Sequence, residues 1–147
     1  MPMAERQANV VWQGDLAHGK GQLSAKSGAF SDLPVTWASR TERSNGMTSP
    51  EELLAAAHAS CFSMALSNGL AQAGHAPERL DVTAVCTLDR TDAGPRVTSM
   101  ALTVRGKVPG MDQAAFKQAA EGAKDGCPVS NAFKNNMQLS VDATLES

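Results

Sequence analysis

The stretch that decides the fold is SPEELLAAAHASCFSMAL, residues 49–66. Ser49 is a good N-cap, Pro50 fits the first helical position because its missing N–H costs nothing there, and Glu52 completes a capping box. Alanine and leucine, both strong helix formers, dominate the residues that follow. Gly74 is a typical C-terminal stop, so the stretch predicts one long helix that ends just before it.

This predicted helix is apolar on most of its circumference, which indicates that it is buried. Its many alanines would allow another backbone to approach closely. We therefore expect a central helix, against which the equivalent helix of a second subunit could pack.

The segments on either side of the helix alternate between apolar and polar residues or carry turn residues, as strands and hairpins do. Strands are predicted at residues 8–12, 21–25, around 35–39, 80–88, 97–108 and 137–145. Asp112 can cap a further helix that runs to about Lys124, and Cys127-Pro128 starts another short one. Because hairpin turns such as Asp92-Ala93-Gly94-Pro95 are short, the pattern predicts an α+β fold with a mostly antiparallel sheet, in a single domain over residues 1–147.

Composition and charge exclude several classes of protein. The chain has 147 residues, of which 42% are hydrophobic and 19% charged, so it is globular rather than disordered. The formal net charge is -2 and no run of lysine or arginine stands out, so neither nucleic acid nor an anionic membrane is expected as a partner. The N-terminus lacks a secretory signal, and the longest apolar stretches fall well below the ~20 residues that span a bilayer. We therefore expect a cytoplasmic protein.

Three cysteines are present, Cys61, Cys86 and Cys127. An odd, small number in a chain without a secretory signal argues against a structural disulfide framework. Their spacings match neither a zinc ribbon nor a thioredoxin-type motif, so no metal is expected. The outer pair is separated by 127 − 61 = 66 positions, so only the tertiary fold could bring these two thiols together.

The positions of the cysteines admit more than one interpretation. Cys61, in the middle of the long helix, is either a small buried hydrophobe or a reactive thiol. Because the helix dipole acts mainly on the end turns, a reactive Cys61 would need a cation from elsewhere to lower its pKa. Cys127, at a predicted helix start, is either a packing residue or a thiolate favoured by the free N–H groups there. Cys86 lies on the apolar face of a strand, and we assign it no chemistry.

Charged residues near the start of the helix could supply that cation. Arg40 and Arg43 are either solvated surface charges or the activating group, and Glu51 in the first helical turn complements the helix dipole. Glu51 and Cys61 are 61 − 51 = 10 residues apart on one helix, about 15 Å along its axis at about 1.5 Å per residue. A site that contains both would need a long bridging arginine, a second subunit, or the two together.

His58, three residues before Cys61, offers an alternative chemistry. A Cys–His dyad would make the protein a Cys-dependent hydrolase. Such a dyad normally needs a third group that orients the histidine, and the sequence identifies none, so a solvent-facing or internally bonded histidine is the simpler interpretation. A non-catalytic dimeric binding or stress protein with buried cysteines is a further alternative.

These motifs resemble the OsmC/Ohr family of bacterial organic hydroperoxide reductases, and within it the OsmC (osmotically inducible protein C) branch. The matching segments cover nearly the whole chain in order and include WQGD (12–15), SR (39–40), SPEEL (49–53), AAHASCFSMAL (56–66), VPG (108–110) and AKDGCPVS (123–130). The block from PEEL to CFSMAL, together with GCPVS, is highly specific.

The resemblance implies an obligate homodimer of intertwined α+β subunits, with mostly antiparallel sheets wrapped around central helices and active sites at the subunit interface. Carried over position by position, Cys61 matches the peroxidatic thiol and Cys127 matches the resolving thiol. Arg40 matches the arginine that activates the thiolate, and Glu51 matches the carboxylate that holds this arginine. Thr41 stands where some relatives have an aromatic residue after the arginine, so the pocket wall differs there. Arg43 stays a rival for the activating role.

The implied reaction is the reduction of organic hydroperoxides to alcohols. The Cys61 thiolate would attack the distal peroxide oxygen, and Cys127 would condense with the resulting sulfenic acid to form a disulfide. An external dithiol, such as a lipoylated protein or a small dithiol, would restore both thiols. A wall that includes Phe62 and Met64 would favour alkyl hydroperoxides over hydrogen peroxide. No metal, haem or other cofactor is needed.

Overall fold

Two three-stranded sheets and several helices make up the computed structural model, which describes residues 1–146. The predicted α+β class is confirmed. The chain divides into two compact units, Met1–Leu53 (unit 1) and Leu54–Ser147 (unit 2). The expectation of a single domain over residues 1–147 stays a prediction.

Unit 1 contains an antiparallel sheet in the order β1-β2-β3. Its strands are Ala8–Gln13, Lys20–Ala25 and Leu33–Val35. The turn between the first two strands requires glycine at Gly19, because a Cβ there would collide with the backbone carbonyls of Asp15 and Gln13. The predicted strands at residues 8–12 and 21–25 are confirmed.

A short helix, α1 (Trp37–Thr41), follows β3 where the sequence pattern predicts a strand at residues 35–39. That prediction is wrong beyond Val35. Thr36 Oγ1 accepts from Ser39 N–H at 2.9 Å, and Ser39 Oγ accepts from Thr36 N–H at 2.9 Å. Because this reciprocal capping satisfies backbone groups that a strand would have to pair, the chain turns into a helix.

The long helix α2 (Pro50–Gln72) confirms the main prediction from the sequence. Glu52 N–H donates to Ser49 Oγ at 3.1 Å, whereas the Glu52 carboxylate accepts from the Thr48 hydroxyl at 2.9 Å. Ser49 therefore caps the helix as expected, and Thr48 is the partner of the glutamate. Gly74, with a φ of 86°, ends the helical segment in the left-handed conformation that glycine tolerates.

Helix α2, with 23 residues, is long and apolar enough, by length and composition alone, to cross a membrane. The expectation that every apolar stretch falls well short of a membrane span is therefore wrong for this helix. A core helix of a globular protein passes the same test. Phe62, Leu66 and Leu70 are at most 1% exposed in the core of unit 2, which favours a core helix.

Unit 2 combines a hairpin with a parallel third strand. Strands β4 (Arg79–Thr91) and β5 (Gly94–Lys107) are antiparallel, and β6 (Gln138–Leu145) pairs with β5 in parallel. A parallel pair needs a crossover connection, which α3 (Gln113–Gly126) and α4 (Pro128–Phe133) provide. Within the described residues the other strand pairs are antiparallel, so mostly antiparallel sheets are confirmed, although the sequence pattern does not predict the parallel pair.

The core of unit 2 joins α2 and α3 to the inner face of the sheet. It includes Phe62, Leu66, Leu102, Val104 and Phe116. Packing is so close that a Cβ on Gly106 would overlap the Phe116 ring. This core fixes α2 relative to the junction of α3 and α4, and those two places carry the candidate site.

Candidate active site

Cys127 lies where α3 ends and α4 begins, as the sequence predicts. It is the C-cap of α3 and the N-cap of α4. Ser130 N–H donates to Cys127 Sγ at 3.3 Å, and the Cys127 thiol donates to Ser130 Oγ at 3.1 Å. The side chain is fully buried. The thiol is therefore held in one place by the first turn of α4.

Cys61, half-buried on α2, lies beside Cys127. Burial raises the pKa of the Cys61 thiol, a hydrogen bond from the Val129 backbone N–H lowers it, and a hydrogen bond with the neighbouring Cys127 thiol raises it again. The net shift is upward. The fold thus unites two thiols that are 127 − 61 = 66 positions apart. Unit 2 by itself keeps Cys61 protonated, so thiolate chemistry requires a cation from elsewhere.

His58 is a buried histidine with only one satisfied ring nitrogen. Its Nε2 lies 2.7 Å from Ser130 Oγ, and its ring packs edge-on against Phe133 with centroids 5.4 Å apart. Nδ1 is buried without a hydrogen-bond partner in the described part of the chain. Burial lowers the pKa of His58, so the ring is neutral near pH 7. The structure therefore engages Nε2 with Ser130 and excludes a solvent-facing histidine.

Ser130 is the residue at this site that the sequence analysis missed. It is 2% exposed and contacts both Cys127 and His58. A local signal was available: residues at the N-cap and three positions later are neighbours in the first helical turn, and Ser130 stands three residues after Cys127.

Cys86 lies on β4 and is half-buried. Its neighbour across the hairpin is the buried Met100 of β5. This environment agrees with the packing role that the sequence predicts.

Unit 1 holds the predicted arginine and glutamate as an ion pair. Arg40 Nε and Nη2 donate to Glu51 Oε1 at 3.0 and 2.8 Å, and Nε lies 3.2 Å from Oε2. Glu51 is buried, whereas 31% of the Arg40 side chain is exposed. The Arg40 guanidinium also lies 5.9 Å from the centroid of the Trp37 ring. Arg43, the rival, is exposed, so Arg40 is the arginine that the structure orients.

An apolar cavity of about 300 Å³ in unit 1 reaches this guanidinium. Its walls are mainly aliphatic and indole side chains: Val10, Trp12, Leu16, Leu23, Val35, Trp37 and Leu53. Arg40 is the charged residue among those that line it. The expected wall of Phe62 and Met64 is not what the structure shows, because Phe62 is sealed in the core of unit 2 and Met64 is 72% exposed.

No group of three or more His, Cys, Asp or Glu side chains is placed to hold a metal ion within residues 1–146.

Comparison of the chain with known proteins identifies its family and several relatives. A family model described as OsmC-like protein matches residues 43–142. The chain is 44% identical over 142 residues to the protein named Peroxiredoxin OsmC of Escherichia coli, covering 97% of both chains. It is 30% identical over 101 residues to the Organic hydroperoxide resistance protein-like 2 of Staphylococcus epidermidis, covering 67% of this chain and 69% of that protein.

Solved structures agree on the fold. The crystal structure of an organic hydroperoxide resistance protein OsmC from Legionella pneumophila superposes with a TM-score of 0.74 over 98% of this chain and 99% of that chain, at 22% identity. Taken with the family match and the relatives identified by sequence, this chain belongs to the OsmC-like protein family.

Proposed function

We propose that this protein reduces organic hydroperoxides to alcohols, with Cys61 as the attacking thiol and Cys127 as the resolving thiol. Membership of the OsmC-like family, at 44% identity to a peroxiredoxin over 97% of the chain, makes it a thiol-dependent peroxidase. The observation that carries the finer proposal is the proximity of the Cys61 and Cys127 thiols, which come from distant parts of the sequence and affect each other's environment.

Three steps account for turnover. The Cys61 thiolate attacks the distal oxygen of the hydroperoxide, the O–O bond breaks, and the alkoxide leaves and takes up a proton as the alcohol. The Cys61 sulfenic acid then condenses with the Cys127 thiol to give a disulfide and water. An external dithiol reduces this disulfide by thiol–disulfide exchange and is itself oxidised to a disulfide. A lipoylated protein or a small dithiol has the required chemistry.

The activating cation in this proposal is Arg40, held by Glu51. Burial raises the pKa of the Cys61 thiol, so the free energy of the thiolate must be lowered by a nearby positive charge. The Glu51 carboxylate fixes the guanidinium in a bidentate pair, which leaves its remaining N–H groups to bind the thiolate and the peroxide oxygens.

A homodimer is part of the proposal for a geometric reason. Glu51 and Cys61 are about 15 Å apart along the axis of α2, so we infer that a second subunit closes this distance. Support comes from the exposed surface of α2. Within the single chain, 22% of the most apolar 18-residue stretch of this helix is buried, and Met64 is 72% exposed. The equivalent helix of a second copy would cover it.

The apolar cavity beside Arg40 supports an organic substrate. Its 300 Å³ volume and indole and aliphatic walls suit an alkyl or aryl group, and the guanidinium at its edge suits the peroxide oxygens. Hydrogen peroxide would leave these walls unoccupied. We therefore propose alkyl or lipid-like hydroperoxides as the substrate class and the cytoplasm as the location, without nucleic acid, membrane or cofactor.

The alternative of a Cys-dependent hydrolase is less well supported. Its base would be His58, yet the Nε2 atom of this residue is engaged by Ser130 and not by the Cys61 thiol. A non-catalytic dimer with inert cysteines does not explain why two of the three thiols meet.

The test is a thiol count before and after one equivalent of cumene hydroperoxide, followed by peptide mapping. We expect two thiols to disappear and a Cys61–Cys127 bridge to form, with Cys86 still reduced. Cys61→Ser should abolish peroxide consumption, and Cys127→Ser should allow one oxidation without turnover. Cys86→Ser is the matched control and should behave like wild type. Wild-type turnover in Cys61→Ser and Cys127→Ser would end the proposal.

A further inference from the structure

A buried chain of polar side chains leads away from the Cys127 thiol. Cys127 Sγ lies 3.1 Å from Ser130 Oγ, which lies 2.7 Å from His58 Nε2. All three residues are at most 2% exposed. The reaction proposed above uses Cys127 and gives neither Ser130 nor His58 a role.

We propose that Ser130 and His58 form a proton relay that activates Cys127 for its attack on the Cys61 sulfenic acid. This inference rests on the proposed function and adds two residues to its second step. Ser130 touches the reacting sulfur, and His58 acts through Ser130.

The relay conserves atoms and charge. The Cys127 S–H proton passes to Ser130 Oγ as the Ser130 hydroxyl proton passes to His58 Nε2. The Cys127 thiolate attacks the Cys61 sulfur, the S–S bond forms, and the S–OH bond breaks. Hydroxide leaves and takes up the proton from His58, so the products are the disulfide and water. Cys127 is oxidised and the sulfenic acid is reduced, without a further reactant.

Burial is the reason why Cys127 needs a relay. A fully buried thiol cannot hand its proton directly to bulk solvent, and the hydroxyl of Ser130 is the acceptor within hydrogen-bond distance. Because the Cys127 thiol donates to Ser130, the Ser130 hydroxyl proton is free to point at His58 Nε2.

The state of His58 fits the role of proton acceptor. Burial lowers the pKa of the ring, so it is neutral near pH 7 and can present an unprotonated Nε2 to Ser130. The ring proton then lies on Nδ1, the buried atom without a partner in the described chain.

Other titratable groups lie near the relay. Cys61 faces it from α2, and a small cavity of about 210 Å³ beside Ser130 is lined by Lys124, Asp125 and Lys134. Lys124 is already paired with Glu121 at 2.9 Å. A pH profile of the second step must therefore be compared between variants that keep all of these groups.

The experiment separates the two chemical steps in the full-length protein. Reduced wild type, Ser130→Ala and His58→Gln are each mixed with one equivalent of cumene hydroperoxide and quenched over time. Cys61 sulfenic acid is trapped with dimedone, and the disulfide is measured by mass. We expect unchanged formation of sulfenic acid and a disulfide that forms about 10²-fold more slowly in both variants, the usual size of an acid–base contribution.

Two controls distinguish a relay from a structural effect. Ser130→Thr keeps a hydroxyl and should restore most of the rate. Ser63→Ala removes a half-buried hydroxyl that donates to the Ala59 carbonyl within α2 and should resolve like wild type. The rate of the second step in wild type should fall as the pH drops through the lowered pKa of His58, because a protonated Nε2 cannot accept a proton, and this fall should be absent in His58→Gln.

Each outcome decides between the proposals. If wild type forms no Cys61–Cys127 disulfide, the proposed function and the relay both fail. If wild type forms it and both variants resolve equally fast, the relay alone is overturned. Slower resolution that Ser130→Thr does not restore, or an acid-side fall in rate that is the same in wild type and His58→Gln, also overturns it. Should Ser130→Ala not fold, His58→Gln and Ser130→Thr carry the same comparison.

Discussion

Replacing Arg40 with lysine tests whether an oriented guanidinium, rather than positive charge alone, activates Cys61. Arg40 makes two short charge-assisted bonds to Glu51 Oε1, from Nε at 3.0 Å and from Nη2 at 2.8 Å. A lysine ammonium in the same place can bond the carboxylate, but it has no fixed fork that presents further donors to the thiolate. Arg40→Lys therefore keeps the charge and removes the geometry.

The magnitude follows from the bonds at stake. A hydrogen bond to a charged group contributes about 1.5–3 kcal/mol. Each ~1.4 kcal/mol of transition-state stabilisation is about tenfold in rate, so the loss of one such bond should slow the first oxidation about 10- to 100-fold. The free energy of unfolding should change by less than the activation free energy of oxidation, because 31% of the arginine side chain is exposed and solvent can replace part of the interaction.

The assay is the second-order rate constant for oxidation of Cys61 by cumene hydroperoxide, measured by rapid quench and alkylation of the remaining thiol. Arg43→Lys is the matched control, since Arg43 lies three residues on and is exposed; it should react like wild type. The reasoning is refuted if Arg40→Lys keeps the wild-type rate, and the assignment moves to Arg43 if the control loses it instead.

Three other perturbations have definite expected outcomes. Burial lowers the folded-state pKa of His58, so the stability that its neutral form contributes is present above the unfolded pKa of ~6.5 and is lost as the pH falls through the folded value. The free energy of unfolding of His58→Gln, measured in urea, should therefore fall less steeply at acid pH than that of wild type. Gly106→Ala forces a methyl into the Phe116 ring and should cost about 1–3 kcal/mol, seen as a lower Tm, and an unchanged Tm would contradict this close packing. Met64→Glu, on the exposed part of α2, should leave a folded monomer by light scattering, and an unchanged dimer would contradict the proposed packing of α2.

Local signals in the sequence explain which elements were predictable. The N-terminus of α2 is determined by Ser49 and its end by Gly74, and both act on residues within one helical turn. At Thr36 and Ser39 the sequence pattern predicts a strand, whereas the mutual capping of these two residues ends β3 and starts α1. From the sequence alone, a short strand with β-branched residues cannot be distinguished from a capped turn, because the direction of the Thr36 and Ser39 side chains is not known.

The sequence pattern could not predict how strands that are distant in the chain pair with each other. The parallel pairing of β6 with β5 depends on a crossover through α3 and α4, and neither strand carries a mark of its partner's direction. The cavity beside Arg40 shows the same limit. Its walls come from β1, β2 and the turn between them, from β3 and α1, and from the start of α2. Phe62 and Met64, which lie near Cys61 in sequence, do not line it.

By itself, the sequence determined the family, the long capped helix, the placement of Cys127 at a helix start, and the residue types that thiol chemistry needs. Only the tertiary structure decided that Cys61 and Cys127 meet, that Glu51 holds Arg40 rather than Arg43, and that Ser130 joins His58 to Cys127. The physical reason is range: capping and helix propensity act over a few residues, whereas the contacts between distant side chains depend on how the core packs its helices against the sheet.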